Sequence, residues 1–462
     1  MDLSGTWRAA PADEPLRRAY PQPAFDDDGW EPIEVPGHWR TAAAFANSDG
    51  PLLLRRSFDH SVIDDGRRAW LTFEGIFYQA DVWLDGGYLG DAEGYFAPQV
   101  FEVTEPLRAR REHVVAVEVT CPPQEAARPR RNITGAFQAV PPAWNPGGVW
   151  RPVRLRTTGQ LAITRLRVLC LEATAERALL SFDATVDAAT PTDASMHTTI
   201  SSGAGVHHVE AARLSKGPNR VEWRVAVEAP SLWWPHALGE PELVDVEVAV
   251  VTPEGTTSDR RRLRTGIRQV RMSSWVVAVN GERLFLKGAN LGPSKLALGE
   301  AAPDELDRDV AIAVEAGLDL LRLQAHVSRP ELYDAADRHG LLLWQDLPIQ
   351  AGLARHVRKE AVRQARQAVD LLGHHPSVAL WCGHDEPVTT DTAHVVRAGL
   401  AGLALPTYNK TVLDGSLHRA LHRADPSRPV VPHSGVVGRT DAHLWFGWGH
   451  GDERDLARFA AT

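Results

Sequence analysis

Two adjacent acids, Asp385 and Glu386, come shortly after a short apolar run, Val378 to Trp381, that reads as a buried strand ending at Gly383. A carboxyl group at the carboxyl end of a buried parallel strand stands where α/β barrels carry their chemistry. The chemistry such a group performs is proton transfer. A carboxyl kept protonated by burial beside another carboxylate serves as a general acid. Hydrolysis by that route calls for a second carboxylate from elsewhere in the barrel. Asp385 and Glu386 are neighbours in an extended segment, so their side chains diverge, and they do not form such a pair themselves. His384, Asp385 and Glu386 also lack the helical spacing that would set metal ligands on one face, so no metal is expected.

Polar residues gather past every other apolar run of the same half of the chain. Asn290 follows Lys287-Gly288-Ala289, Arg322 and His326 end or follow Leu318–Leu323, and Gln345 and Asp346 follow Trp344. His433 closes Val430-Val431-Pro432, and Trp445 to Trp448 close the run at His443. Taken singly, Asp346 or Asp385 is equally a helix N-cap. Five successive strand ends bearing Arg, His, Asp, Glu and Trp would converge on one mouth in a barrel.

The elements that must position these residues follow from the pattern. After about residue 270 a hairpin-like piece, Trp275 to Phe285 with Asn280-Gly281 as its turn, precedes alternating helices and buried strands. Pro303 to Ala316, Arg329 to His339 with Gly340 as its cap, and the stretch 355–372 read as helices. Apolar strands between them imply a parallel sheet or barrel. Up to about residue 158 the pattern is short β runs, with Asp85-Gly86-Gly87 as a hairpin signal, and it predicts a sandwich or jelly roll. From about 160 to 265, Ile163–Val168, Val221–Val225 and Val244–Val248 alternate with period two, and the length fits an immunoglobulin-like sandwich. The expected division is therefore 1–158, 159–268 and 269–462.

Composition narrows the function classes. With 44% hydrophobic and 24% charged residues, the 462-residue chain is an ordinary globular sequence. A formal charge of −9 leaves no basic footprint, so nucleic acid is not an expected partner. No apolar run approaches the roughly 18 residues of a membrane span, so none is expected, and the N-terminus shows no secretory leader, so the expected location is cytoplasmic. Three widely spaced cysteines, Cys121, Cys170 and Cys382, speak against a disulfide framework and against a paired-cysteine zinc site. Fifteen tryptophans against six tyrosines fit either large β cores or ring-stacking surfaces.

The ordered motifs resemble glycoside hydrolase family 2, the group of β-galactosidases, β-glucuronidases and β-mannosidases. Leu3-Ser4-Gly5-Thr6-Trp7, Phe25 to Trp30, Val35-Pro36-Gly37-His38-Trp39 and Gly147 to Val153 resemble its N-terminal sugar-binding jelly roll. Leu232-Trp233-Trp234-Pro235 with Leu238 to Pro241 resembles its immunoglobulin-like domain. Thr265-Gly266-Ile267-Arg268 and Leu286 to Asn290 resemble the entry to its catalytic barrel. The resemblance implies a retaining exo-β-glycosidase acting on a β-linked saccharide without a cofactor. Its wording, Trp-Gln-Asp, Trp-Trp-Pro and Trp-Cys-Gly, is closest to the β-mannosidase-like branch. It implies Glu386 as the acid/base and Asn290, Arg322, His326, Trp344, Asp346, Trp381, Asp385, His433, Trp445 and Trp448 as substrate-binding residues.

Two departures qualify that expectation. The family places Asn before the acid/base; here Asp385 stands there, losing two amide donors and adding a like charge beside Glu386. The family nucleophile is a Glu on the seventh barrel strand in a Glu-Phe-Gly or Glu-Tyr-Gly context, and this sequence contains neither. The expectation is a fold of jelly roll, immunoglobulin-like sandwich and incomplete TIM-type barrel, truncated at its C-terminal side, with no nucleophile in the chain. The alternative is a non-catalytic carbohydrate-binding protein. The sugar, the linkage and the oligomeric state stay open.

Overall fold

The structure, a computed structural model, describes residues 1–123, 129–138, 144–385 and 407–434. The first 158 residues form two antiparallel sheets that share one core. One has six strands in the order Glu31–Val35, Gly5–Pro11, Leu52–Asp59, Glu112–Thr120, Gln79–Leu84 and Gly87–Glu93. The other has three, Gln99–Glu102, Arg68–Phe73 and Val153–Thr158. The sandwich forms because the strands alternate: Ala80, Val82 and Leu84 turn inward while Asp81 and Trp83 turn outward. Trp7 of one sheet meets Phe73 of the other edge-on at 6.5 Å between rings. The Asp85-Gly86 turn has positive φ at both positions, 52° and 82°, the twist that joins two strands tightly. Two six-residue helices, Glu14–Ala19 and Thr104–Ala109, interrupt a region whose sequence shows no helical period.

A second β region follows, with a three-stranded sheet (Leu161–Ala173, Arg177–Ala188, Gly217–Glu228) and a four-stranded one (Val206–Leu214, Thr192–Ile200, Val244–Val251, Thr257–Thr265). It has its own core, in which Phe182 stacks on Trp223 at 5.2 Å. Three strands, Val270–Ser273, Val276–Val279 and Glu282–Leu284, then make the antiparallel hairpin piece around Asn280-Gly281.

The α/β region contains five parallel strands in sequence order: Gly288–Leu291, Leu320–Leu323, Leu342–Asp346, Val378–Cys382 and Val430–Val431. Helices Pro303–Glu315, Pro330–His339, Arg358–Leu372 and Asp414–Ala424 lie between them in sequence. Gly340 ends the second helix at φ 68°, and its N–H returns to the Ala336 carbonyl, as the left-handed cap expected there requires. The strand expected at His443–Phe446 lies outside the described residues.

The β regions are bolted to the α/β region by buried polar contacts. The Arg268 guanidinium donates to the carbonyls of Pro376 (3.0 Å) and Val378 (2.8 Å), which fixes the start of the Val378–Cys382 strand. Arg428 donates to the Val378 carbonyl as well, at 2.6 Å. His38 of the first β region donates from Nδ1 to the Pro146 carbonyl and accepts the Gly299 N–H at Nε2, 3.1 Å away. Burial holds that imidazole neutral, pushing it down to about 4. The three cysteines are buried, and among the described residues none is in a disulfide. Among the described residues no helix is long and apolar enough to cross a membrane.

Candidate active site

The ends of three neighbouring parallel strands bring Arg322, Asp346 and Asp385 together. Arg322 lies on Leu320–Leu323, in register between Asn290 and Trp344. Its Nε donates to Asp346 Oδ1 (3.2 Å) and Oδ2 (3.1 Å), and its Nη2 donates to Asp346 Oδ2 (2.7 Å). The same Nη2 donates to Asp385 Oδ1 at 2.7 Å and reaches Ser434 Oγ at 2.6 Å. All three charged groups are buried, and the guanidinium also lies 5.4 Å from the Trp344 ring centre. The fork of a guanidinium suits this task, since it serves two carboxylates in one plane where an ammonium would offer a point charge.

Asp385 is surrounded by donors. Oδ1 accepts from Arg322 and from Ser434 Oγ (3.0 Å), and Oδ2 accepts from the amides of Gln324 and Gln350, each at 3.2 Å. Its backbone is knitted to the preceding strand-end loop, Asp385 N–H to Ile349 carbonyl (2.8 Å) and Ala351 N–H to Asp385 carbonyl (3.2 Å). Asp346 differs. Burial, with the Asp385 charge adding to it, pushes its carboxyl up to about 6 against the pull of Arg322.

His326 lies on the loop after Leu320–Leu323. Its Nδ1–H donates to the Gln324 carbonyl (3.0 Å), so Nε2 carries the lone pair, and burial pushes the ring down to about 4. Gln345 fixes this loop from below: its amide donates to the His326 carbonyl at 2.8 Å while Tyr333 donates to its Oε1 at 2.7 Å. Tyr95 reaches in from the first β region and donates to the Val327 carbonyl at 3.1 Å. Phe137, from the same region, sets its ring edge-on to His326 at 6.2 Å.

His384 and His433 meet on Asp414, the first residue of the fourth helix. Both donate from Nδ1, at 2.8 Å, to different carboxylate oxygens. His384 Nε2 lies 2.6 Å from the Ala351 carbonyl. With Asp414 at one ring nitrogen and the Ala351 carbonyl at the other, His384 clamps the 349–351 loop to the strand bearing Asp385.

The sequence-chosen residues therefore divide. Arg322, Asp346, Asp385, Trp344 and His326 gather at one mouth, and His433 joins through Asp414. Asn290 stands on the neighbouring strand and is exposed. Trp381 belongs elsewhere: its side chain leaves the opposite face of its strand, is wholly buried, and donates from Nε1 to Asp425 at 2.8 Å. Its assignment to the mouth is corrected by strand parity, because Leu380 and Cys382 pack with Trp344, which is level with Arg322. Glu386, Trp445 and Trp448 lie outside the described residues. Ser434, Gln324, Gln350 and Asp414 escaped the sequence reading. Ser434 and the two glutamines follow strand ends already singled out, so widening each by one to four residues would have found them.

Among the described residues, four buried polar atoms of this mouth are left without a partner: Arg322 Nη1, Trp344 Nε1, His326 Nε2 and Gln350 Oε1. Two are donors and two are acceptors, a set that suits hydroxyl groups, which do both. The described residues hold one cluster with metal-ligand spacing, Asp334, Asp337 and His375. It lies elsewhere, and Asp337 is committed there, accepting from His375 Nδ1 (2.6 Å) and from the Ser377 N–H (3.0 Å).

Comparison with known proteins agrees with this architecture. A family model described as glycosyl hydrolase 2 galactose-binding domain-like matches residues 48–155, and one described as glycosyl hydrolases family 2 matches residues 163–268. Beta-mannosidase B of Aspergillus clavatus is 24% identical over 371 residues, 72% of this chain and 43% of that protein. The Bacteroides uniformis beta-glucuronidase structure superposes with a TM-score of 0.79 at 20% identity, covering 100% of this chain and 57% of its own. The Dictyoglomus thermophilum beta-D-mannosidase gives 0.76 at 20%, covering 97% and 60%. The chain spans about half the length of the curated relatives it matches.

Proposed function

Because the chain belongs to glycoside hydrolase family 2, we propose that its α/β region is part of a TIM-type barrel built to bind a β-linked glycoside at the Arg322–Asp346–Asp385 mouth. The observation that carries the reading is the buried guanidinium held between two strand-end carboxylates, with unpartnered donors and acceptors around it. The jelly roll of 1–158 and the immunoglobulin-like sandwich of 159–268 buttress it. Arg322, His326, Trp344, Asp346 and His433 hold the sugar, while Asn290, Trp445 and Trp448 line the approach.

The reaction is retaining exo-β-glycoside hydrolysis with a β-mannoside as the favoured substrate. Glu386, next to Asp385, protonates the leaving oxygen and then activates water. Its partner nucleophile, about 5–5.5 Å away in a retaining site, is assigned to no residue of this chain. A second reading, a saccharide-binding protein without hydrolysis, is favoured by Asp385, which has no amide to offer a sugar and whose carboxylate already accepts from four donors.

Calorimetry and turnover with nitrophenyl β-mannoside, β-galactoside and β-glucuronide test the site both readings share, and turnover alone separates them. Binding of the mannoside without turnover is the expected result. Turnover lost in Glu386→Gln would keep the acid/base and overturn the nucleophile assignment. Absence of heat with every glycoside would overturn the site.

A further inference from the structure

The helix Asp414–Ala424 buries Leu417, Ala420, Leu421 and Ala424 against the core. Its opposite face carries two histidines one turn apart, His418, half-buried, and His422, exposed. Their rings lie 6.2 Å apart and nearly parallel, 19° between planes. Among the described residues neither ring makes a hydrogen bond. Histidines at i and i+4 on one helical face are the spacing from which two imidazoles reach one metal ion. Burial, the neighbouring His422 and Arg419 push His418 down from its ordinary value.

We propose that His418 and His422 form a two-point site for a divalent transition ion, with water completing the coordination. Two imidazoles and water suit Cu²⁺ best, then Ni²⁺ and Zn²⁺, and do not suit the oxygen-seeking Ca²⁺ or Mg²⁺. The ion would staple the middle of the helix whose first residue, Asp414, holds His384 and His433 at the mouth. It thereby joins an exterior surface to the strand end that carries Asp385.

The test is titration of the full chain with Cu²⁺ and Zn²⁺, read by calorimetry and by Tm, against His418→Gln, His422→Gln and Arg419→Ala. The wild type should bind one equivalent that Mg²⁺ does not displace. Removing a group that merely orients a ligand costs about 10–100-fold in metal affinity, so losing either histidine should cost at least as much. Arg419→Ala, which takes away a flanking cation, should bind several-fold tighter. The chain has 19 histidines, and a cross-strand pair, His197 and His207, lies 5.6 Å apart. An equivalent that survives in the His418→Gln/His422→Gln double variant, or one that vanishes in His197→Gln, overturns the proposal. So does a wild type that binds no equivalent.

Discussion

Asp385→Asn is the most informative substitution, because it restores the side chain the resemblance leads one to expect. Its effect follows from the four partners of Asp385, each of which is a donor: Arg322 Nη2 and Ser434 Oγ on Oδ1, Gln324 and Gln350 amides on Oδ2. An asparagine has one acceptor oxygen, so its NH₂ must face two donors whichever way it turns. Facing Arg322 is the worse choice, so Nδ2 turns toward the glutamines. Gln350 can reverse its amide cheaply, since its Oε1 has no partner to lose. What remains lost is the Gln324 hydrogen bond and the charge–charge contact to Arg322. Breaking a buried ion pair costs about 3–5 kcal/mol when the other charge is stranded, but Arg322 keeps three contacts to Asp346. The expected cost is therefore about 2–3 kcal/mol, the scale of one hydrogen bond between charged groups. At about 2–4 °C per kcal/mol for a region of this size, Tm should fall by about 5–10 °C.

Two further readouts belong to the same variant. Asp385 is one of the charges that raises Asp346, so its removal should lower the Asp346 carboxyl from about 6, measurable by carboxyl ¹³C shifts. Adding Gln350→Glu, which returns an acceptor and a charge beside the new NH₂, should restore at least half of the lost Tm. A Tm within 1 °C of wild type, with no rescue and no movement of Asp346, would refute the account of Asp385 as the anchor of this network.

Other outcomes follow from the same structure. His38 and His326, held near 4, and His374, held well below 6.5, are neutral in the fold but titrate near 6.5 once unfolded. Their contribution is complete above pH 6.5 and is lost at about 1.4 kcal/mol per unit each as pH falls. Asp346, raised to about 6, acts oppositely and recovers about 1.4 kcal/mol at pH 5. Stability by urea melts should drop by about 4–5 kcal/mol between pH 7 and pH 5, and a flat profile would contradict the burial of these rings. Gly135→Ala should destabilise by about 2–5 kcal/mol, since its φ is 57° and a Cβ would lie 1.9 Å from the Ala325 carbonyl oxygen; an unchanged melt would show that the first β region does not pack on this loop. Trp381→Phe should cost about 2–4 kcal/mol through Asp425 while leaving glycoside affinity within twofold. A tenfold loss of affinity at unchanged Tm would return Trp381 to the mouth.

The division between what was readable and what was not follows from the period of each element. Strand positions were legible because the runs Leu320–Leu323, Leu342–Asp346 and Val378–Cys382 are apolar and bounded by Gly or polar residues. Side-chain direction within them was not, because a strand buried on both faces shows no alternation to reveal which residue faces which layer. All five residues of Val378–Cys382 are buried, so the sequence offers Trp381 and Cys382 on equal terms. The register settles it. Trp344 pairs with Leu380, and Asp346 pairs with Cys382. Residues level across parallel strands share a face, so Leu380 and Cys382 go with Trp344 and Asp346, and Trp381 goes with Gln345. Gln345 spends its side chain on Tyr333 and the His326 carbonyl, and Trp381 spends its own on Asp425. One even-spaced set points its chemistry at the mouth, while the odd-spaced set between them holds the helices and loops in place. The same parity puts Arg322 level with Trp344 and Asn290, which is why one guanidinium can reach carboxylates on two separate strand ends. A single register shift of one residue in the Leu342–Asp346 strand would turn Asp346 away from Arg322 and leave that cation with Asp385 alone.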